Sequence, residues 1–147
     1  MKKYLLFFAV CLILAAPAFS QTAAELERLL EANPVTYEQA AWFVLRAADV
    51  YAASPEGAFN HAAEQNWLPA NAAANDGVVL GGLSLLFMQA FDLKGGLFYS
   101  FAKTPHYAYR ELVYRDIIQG RADPDMAVSG DYLLFLLGRV LSGMEND

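Results

Sequence analysis

Cysteine is all but absent from this 147-residue chain; the single one is Cys11. It lies inside an apolar run near the N terminus, so the residues after that run have no disulfide framework, cysteine metal site or thiolate nucleophile. Histidine is nearly as scarce, with only His61 and His106. No Gly-x-Ser-x-Gly elbow surrounds Ser100, Ser129 or Ser142, and Gly81-Gly82 and Gly95-Gly96 do not have the pattern of a phosphate loop. Basic charge is also short. The chain has ten Lys and Arg against sixteen Asp and Glu, which argues against nucleic acid as a partner, because phosphate binding needs a basic surface. Long apolar runs are missing after residue 20, so no stable membrane span is expected in the remainder.

The first twenty residues form a pattern of their own. Lys2 and Lys3 are followed by an uncharged stretch from Leu5 to Ala16, then by Ala18-Phe19-Ser20. A positive start, an apolar middle and small residues at the end make a secretory signal peptide, with cleavage expected between Ser20 and Gln21. Twelve apolar residues are too few for a spanning helix, which needs roughly 20. The expectation is an exported protein, periplasmic or associated with the cell envelope, whose domain is 21–147. Without Lys2 and Lys3, eight basic residues face sixteen acidic ones, a net charge of −8. The basic residues are not evenly placed. Lys94, Lys103, Arg110, Arg115 and Arg121 share a 28-residue window that holds only Glu111 and Asp116 as acids.

Apolar residues recur with helical spacing almost throughout, which predicts an all-α fold. Leu26, Leu29 and Leu30 mark a first helix, broken at Asn33-Pro34. Thr36-Tyr37-Glu38-Gln39 is a capping box that opens a second helix, running to about Tyr51. Ser54-Pro55 starts a third, to about Trp67. Val79 to Phe91 is apolar nearly all round and should be the most buried helix; Gly81 and Gly82 near its start point to close approach of a neighbouring backbone. Lys94-Gly95-Gly96 ends it, and an aromatic connection, Leu97 to Tyr107, follows. Ala108 to Gln119 is amphipathic, with Gly120 as its C-terminal cap, and Ser129 caps a last helix over Leu133 to Leu141.

The helices repeat. The segments beginning Val35-Thr36, Val79-Leu80 and Val128-Ser129 align at offsets of 44 and 49 residues, while Ala58-Phe59, Ala62-Ala63 and Trp67-Leu68 precede Ala108-Tyr109, Leu112-Val113 and Ile117-Ile118 by 50. The chain thus divides into three helix–loop–helix units, about 23–53, 54–95 and 97–142. One such unit cannot bury its own apolar face, so three must share a core.

Three units of this size behind a signal peptide resemble a trio of S-layer homology (SLH) domains. Tyr109-Arg110-Glu111-Leu112, Ile117-Ile118-Gln119-Gly120, Asp123-Pro124 and Val128-Ser129-Gly130 carry the resemblance, which spans most of 23–142 and is specific in the last third. It implies a pseudo-threefold bundle that binds anionic cell-wall polysaccharide. The family's Thr-Arg-Ala-Glu-like start to the second helix is replaced here by Thr36-Tyr37-Glu38-Gln39, Leu80-Gly81-Gly82-Leu83 and Ser129-Gly130-Asp131-Tyr132. The resemblance therefore carries the fold and leaves out the arginine of the family's ligand site.

No catalytic, metal or cofactor site emerges from the residues. His61 and Glu64 share a helix face, but a metal site in a bundle draws on several helices. Asp123, Asp125 and Asp131 lack the spacing, glycine and final glutamate of a calcium loop; Asp131 suits a helix start. The window 97–121 interleaves Phe98, Tyr99, Phe101, Tyr107, Tyr109 and Tyr114 with Lys103, Arg110, Arg115 and Arg121. Aromatic faces stack on sugar rings and arginine forks onto carboxylate or phosphate. Tyr107, Arg110, Arg115 and Arg121 are accordingly the candidate ligand-binding residues, for envelope polysaccharide or an envelope protein. The competing reading has the aromatics filling the core and Arg115 paired with Glu111. The function expected is a non-enzymatic envelope binder; the alternatives are a structural accessory subunit of an envelope complex, or a periplasmic hydrolase.

Overall fold

The computed structural model describes residues 22–120 and 122–145. The chain divides into two compact units, Met1–Glu31 and Ala32–Asp147. The described part of the first is helix α1, over 22–31; the expected leader, 1–20, lies outside the described residues. The second unit carries α2 (Tyr37–Ala47), α3 (Pro55–Glu64), α4 (Leu80–Ala90), α5 (Leu97–Phe101), α6 (Pro105–Tyr114) and α7 (Gly130–Met144). The fold is all-α. Among the described residues extended backbone pairs only at two isolated antiparallel bridges, Thr36 opposite Gly77 and Val79 opposite Ala127. No helix among the described residues is long and apolar enough to cross a membrane.

The helix starts follow side-chain chemistry. The Thr36 hydroxyl accepts from the Gln39 amide at 3.2 Å, and the Gln39 side chain accepts from the Thr36 amide at 3.0 Å. These two reciprocal bonds satisfy donors that helix geometry leaves unpaired. The Ser54 hydroxyl accepts from the Gly57 amide at 3.0 Å, and Thr104 does the same for Tyr107 at 3.4 Å, each with proline at the next position. Ser129 behaves differently. Its hydroxyl donates to the Asp131 carboxylate at 2.5 Å instead of capping the helix, and that bond holds Asp131 below the usual carboxylate range.

The helix ends fall earlier than glycine placement suggests. Asp49, Asn66, Asp92 and Asp116 all take positive φ, between 48° and 61°, just past α2, α3, α4 and α6. After α2, the Asp49 amide bonds the Arg46 carbonyl and the Val50 amide reaches back to Leu45. The same two-bond closure follows α3, α4 and α6, ending on Trp67, Leu93 and Ile117. These are Schellman motifs with a short polar residue where glycine is commoner, and with an apolar residue next to close the end against the core. The side chains of Asp and Asn tolerate the left-handed region better than those of most residues. Helix α6 therefore spans 105–114, not 108–119, and α2 stops four residues before Tyr51.

The centre of the second unit is a ring of backbone hydrogen bonds. The Val35 amide donates to the Val128 carbonyl at 2.9 Å, Val128 to Val78 at 3.0 Å, and Val78 to Val35 at 2.8 Å. Each valine gives to one segment and takes from the other, and all three side chains are fully buried. Flanking bonds extend the ring, from Tyr37 to Asp76 and from Leu80 to Met126. At the third joint the Gly130 amide bonds Ala32, beside Pro34. The ring corrects the repeat register by one residue. Val78, not Val79, is equivalent to Val35 and Val128, and Val79 is the N-cap of α4 as Thr36 is of α2. The offset from the second helix–loop–helix repeat to the third is then 50 for both helices, and residues 54–92 map onto 104–142 without a break.

Packing crosses the repeat borders: α3 packs on α2, α6 on α4, and α2 also meets α4. As its composition demands, α4 is the most enclosed element, every residue from Leu80 to Met88 being buried. Its two glycines are placed by neighbours. The Gly81 amide donates to the Pro124 carbonyl at 2.7 Å, and a Cβ there would lie 3.2 Å from that oxygen. A Cβ on Gly82 would lie 2.1 Å from the Tyr37 hydroxyl. The approach expected at this pair is thus backbone at Gly81 and a tyrosine ring at Gly82. Burial raises the Tyr37 phenol above its ordinary pKa, opposed in part by the Val79 amide bonded to its oxygen.

Candidate functional site

Helix α6 buries Ala108 and Leu112. At 3.6 residues per turn, Arg110 projects about 180° from the midpoint of those two, straight into solvent. Tyr107 lies one turn before it on the neighbouring edge. Its ring stacks on Phe98, with centroids 5.9 Å apart and planes inclined by 14°, and meets His106 edge-on at 5.4 Å. Tyr107 and Arg110 therefore share one accessible face, continued by Tyr114, which is 88% exposed.

Arg115 does not join them. It is the C-cap of α6, where the helix turns toward its buried side, and its guanidinium donates to the Lys94 carbonyl. Arg121 lies outside the described residues. Of the four residues singled out from the sequence, the structure brings together Tyr107 and Arg110 and turns Arg115 away.

The aromatics of this window are mostly not core. Tyr99 alone is buried, and its hydroxyl accepts from the Gln89 side chain at 2.6 Å; burial raises its pKa, and that bond works the other way. The rest of α5 faces outward: Leu97 is 78%, Phe98 69% and Phe101 92% exposed. Tyr109 reaches the chain after α6, donating to the Ala122 carbonyl at 2.7 Å. A Cβ on Gly96 would lie 2.9 Å from the Glu111 carboxylate, so that acid sits against the entrance to α5.

Sequence reasoning missed Arg139. It is the one charge in the last three turns of α7, and that isolation in an apolar helix was the available signal. Its guanidinium donates to the Asp116 carbonyl and lies 5.7 Å from the centre of the Phe135 ring, while its Nε is buried with no partner among the described residues. With Arg115, Phe135 and Ser142 it lines an open groove of about 560 Å3. Both arginines spend a donor on a loop carbonyl, which makes them clips for the chain after α4 and after α6.

A second open groove, about 460 Å3, lies at the start of α4, between Gly81, Gly82, Pro105, His106 and Pro124. Glycine and proline make up most of its lining. Among the described residues no three His, Cys, Asp or Glu side chains gather as a metal site. The Asp123 carboxylate accepts from the Asp125 amide at 2.8 Å within its own turn, and the His61 ring packs edge-on to Trp67 at 5.3 Å. No known protein family, characterised protein or solved structure matches the chain.

Proposed function

We propose that this is a non-enzymatic, exported cell-envelope protein that binds envelope polysaccharide through the exposed face of α6. The observation that carries the reading is the pairing of Tyr107, backed by the stacked Phe98 ring, with Arg110 projecting into solvent one turn on. A sugar presents an apolar C–H face to an aromatic ring and, where acidic, a carboxylate or phosphate to a guanidinium. Export rests on the pattern of residues 1–20, and the anionic character of the polymer on the local excess of Lys and Arg over 94–121. The valine ring supports an SLH-like arrangement in which three helical units share a pseudo-threefold centre. A second reading, a structural accessory subunit docked on another envelope protein, is favoured by the exposed apolar side chains of α5, since contiguous apolar surface of that kind marks interaction sites.

The test is sedimentation with purified cell-wall polymer free of lipid and protein. Arg110→Ala is expected to weaken retention about tenfold with helix content unchanged, the loss of roughly one charge-assisted bond pair. Arg115→Ala is expected to change it little, because that side chain is tied to the Lys94 carbonyl. Retention that survives Arg110→Ala, alone and combined with Arg121→Ala, rules out this face.

A further inference from the structure

The repeat itself isolates one element with no architectural task. After α2, the chain passes from Val50, which closes the helix end, to the N-cap Ser54 through three residues, 51–53. At the equivalent joint after α4 it passes from Leu93 to the N-cap Thr104 through ten, 94–103. The same connection between equivalent positions is made with seven residues fewer, so the extra length is not needed to close it. Those residues build α5. This helix is held by the buried Tyr99 and by the stack of Phe98 on Tyr107, and it turns Leu97, Phe101 and most of Phe98 into solvent. Ordinary packing does not explain such exposure, which works against solubility.

The chemistry of the neighbourhood selects the occupant. Exposed Lys94 and Lys103 stand at the two ends of α5, and Arg110 faces outward from α6 beside it. Lys94 pairs with Asp92 at 2.9 Å, with both side chains more than four-fifths exposed, and Glu111 is the other nearby acid. Over 92–115 the balance is four basic residues to two acidic, in a chain acidic elsewhere. Three large apolar tips on a small convex helix, flanked by long cations, suit a surface that deforms around them. A bilayer interface does this: apolar tips enter the acyl boundary while lysine stems snorkel to the head groups. Anionic head groups match the local positive charge and are repelled by the rest of the molecule.

We infer that α5 is a peripheral docking element for an anionic lipid surface. It inserts Leu97, Phe98 and Phe101 to interfacial depth, with Lys94 and Lys103 at the phosphates. This goes beyond the polymer face of α6, with which it shares only the Phe98–Tyr107 border.

The experiment uses the full chain carrying Cys11→Ser and one new cysteine bearing a polarity-sensitive fluorophore. The label sits either at Ser100→Cys, within α5, or at Tyr51→Cys, on the short joint where Tyr51 is 87% exposed. Vesicles of equal parts phosphatidylglycerol and phosphatidylethanolamine are added, with phosphatidylcholine vesicles as the neutral control. The expected result is a blue shift at 100 and not at 51, on the anionic vesicles alone. Leu97→Asp with Phe101→Asp should weaken the association giving that shift at least tenfold, with helical circular dichroism retained. The inference is overturned by no shift at 100, by equal shifts at 51 and 100, or by a shift that survives the double substitution. A shift at 100 that appears without vesicles as protein concentration rises also overturns it, in favour of a second copy of the chain. Loss of vesicle binding with polymer retention intact would leave the α6 reading standing, so the two fail separately.

Discussion

The joints that follow α2 and α4 begin and end in the same way. Each leaves a Schellman motif centred on aspartate, and each enters a helix through a hydroxyl cap and a proline. Between those points one uses three residues and the other ten. The difference separates what the architecture requires from what has been added to it. The caps, the left-handed aspartates and the buried valines recur because the backbone must be satisfied at each repeat. The α5 insertion occurs once, and most of its apolar surface faces water.

The largest expected effect tests the part that recurs. Gly82→Ala places a Cβ 2.1 Å from the hydroxyl of the buried Tyr37, and should destabilise by about 2 kcal/mol in chemical denaturation. The corresponding position fifty residues on, Tyr132, carries a large half-buried side chain, and Tyr132→Ala should leave the fold intact. An unaffected Gly82→Ala would show that the contact between α2 and α4 is slack.

A smaller effect tests the part that does not recur. Replacing residues 94–103 with the sequence of 51–53 removes the buried Tyr99 ring, worth about 2 kcal/mol. The shorter loop returns about 1 kcal/mol of closure entropy. The net loss should be about 1 kcal/mol, with cooperative melting and helix content preserved. Failure to fold would mean that α5 belongs to the architecture after all.

The smallest effect compares the two copies directly. Asn66→Gly and Asp116→Gly relieve the same left-handed strain at equivalent positions, so each should raise stability by about 0.5 kcal/mol. Unequal gains, read from parallel denaturant titrations, would show that the two helix ends are not held alike.

Much of the fold was legible because local chemistry determined it. Thr36 with Gln39, and Ser54 with Pro55, announce helix starts wherever they occur. Helix ends were harder to read, since Asp49, Asn66, Asp92 and Asp116 do the work expected of Gly95, Gly96 and Gly120. The register slipped by one at Val78-Val79 because both residues are valine. Only the backbone ring distinguishes the one that is fully enclosed from the one that caps a helix. At the candidate site, Arg110 could be placed because it sits opposite a buried pair on a strong helix. Arg115 could not, because its acceptor, the Lys94 carbonyl, is remote in sequence and leaves no pattern. The α5 aromatics suggested core by composition, yet within this five-residue helix only Tyr99 is buried.

The three valines also set when this domain is able to form. With the segment around Val128 missing, the Val35 amide and the Val78 carbonyl each lose their backbone partner, so a chain that stops short of it is a poor approximation to the whole. A lengthening polypeptide would hold an open circle until that last link arrives, and would then close the two joints that Val128 makes. Shortened versions ending before residue 128 should accordingly be protease-sensitive throughout, not intact in their first two units.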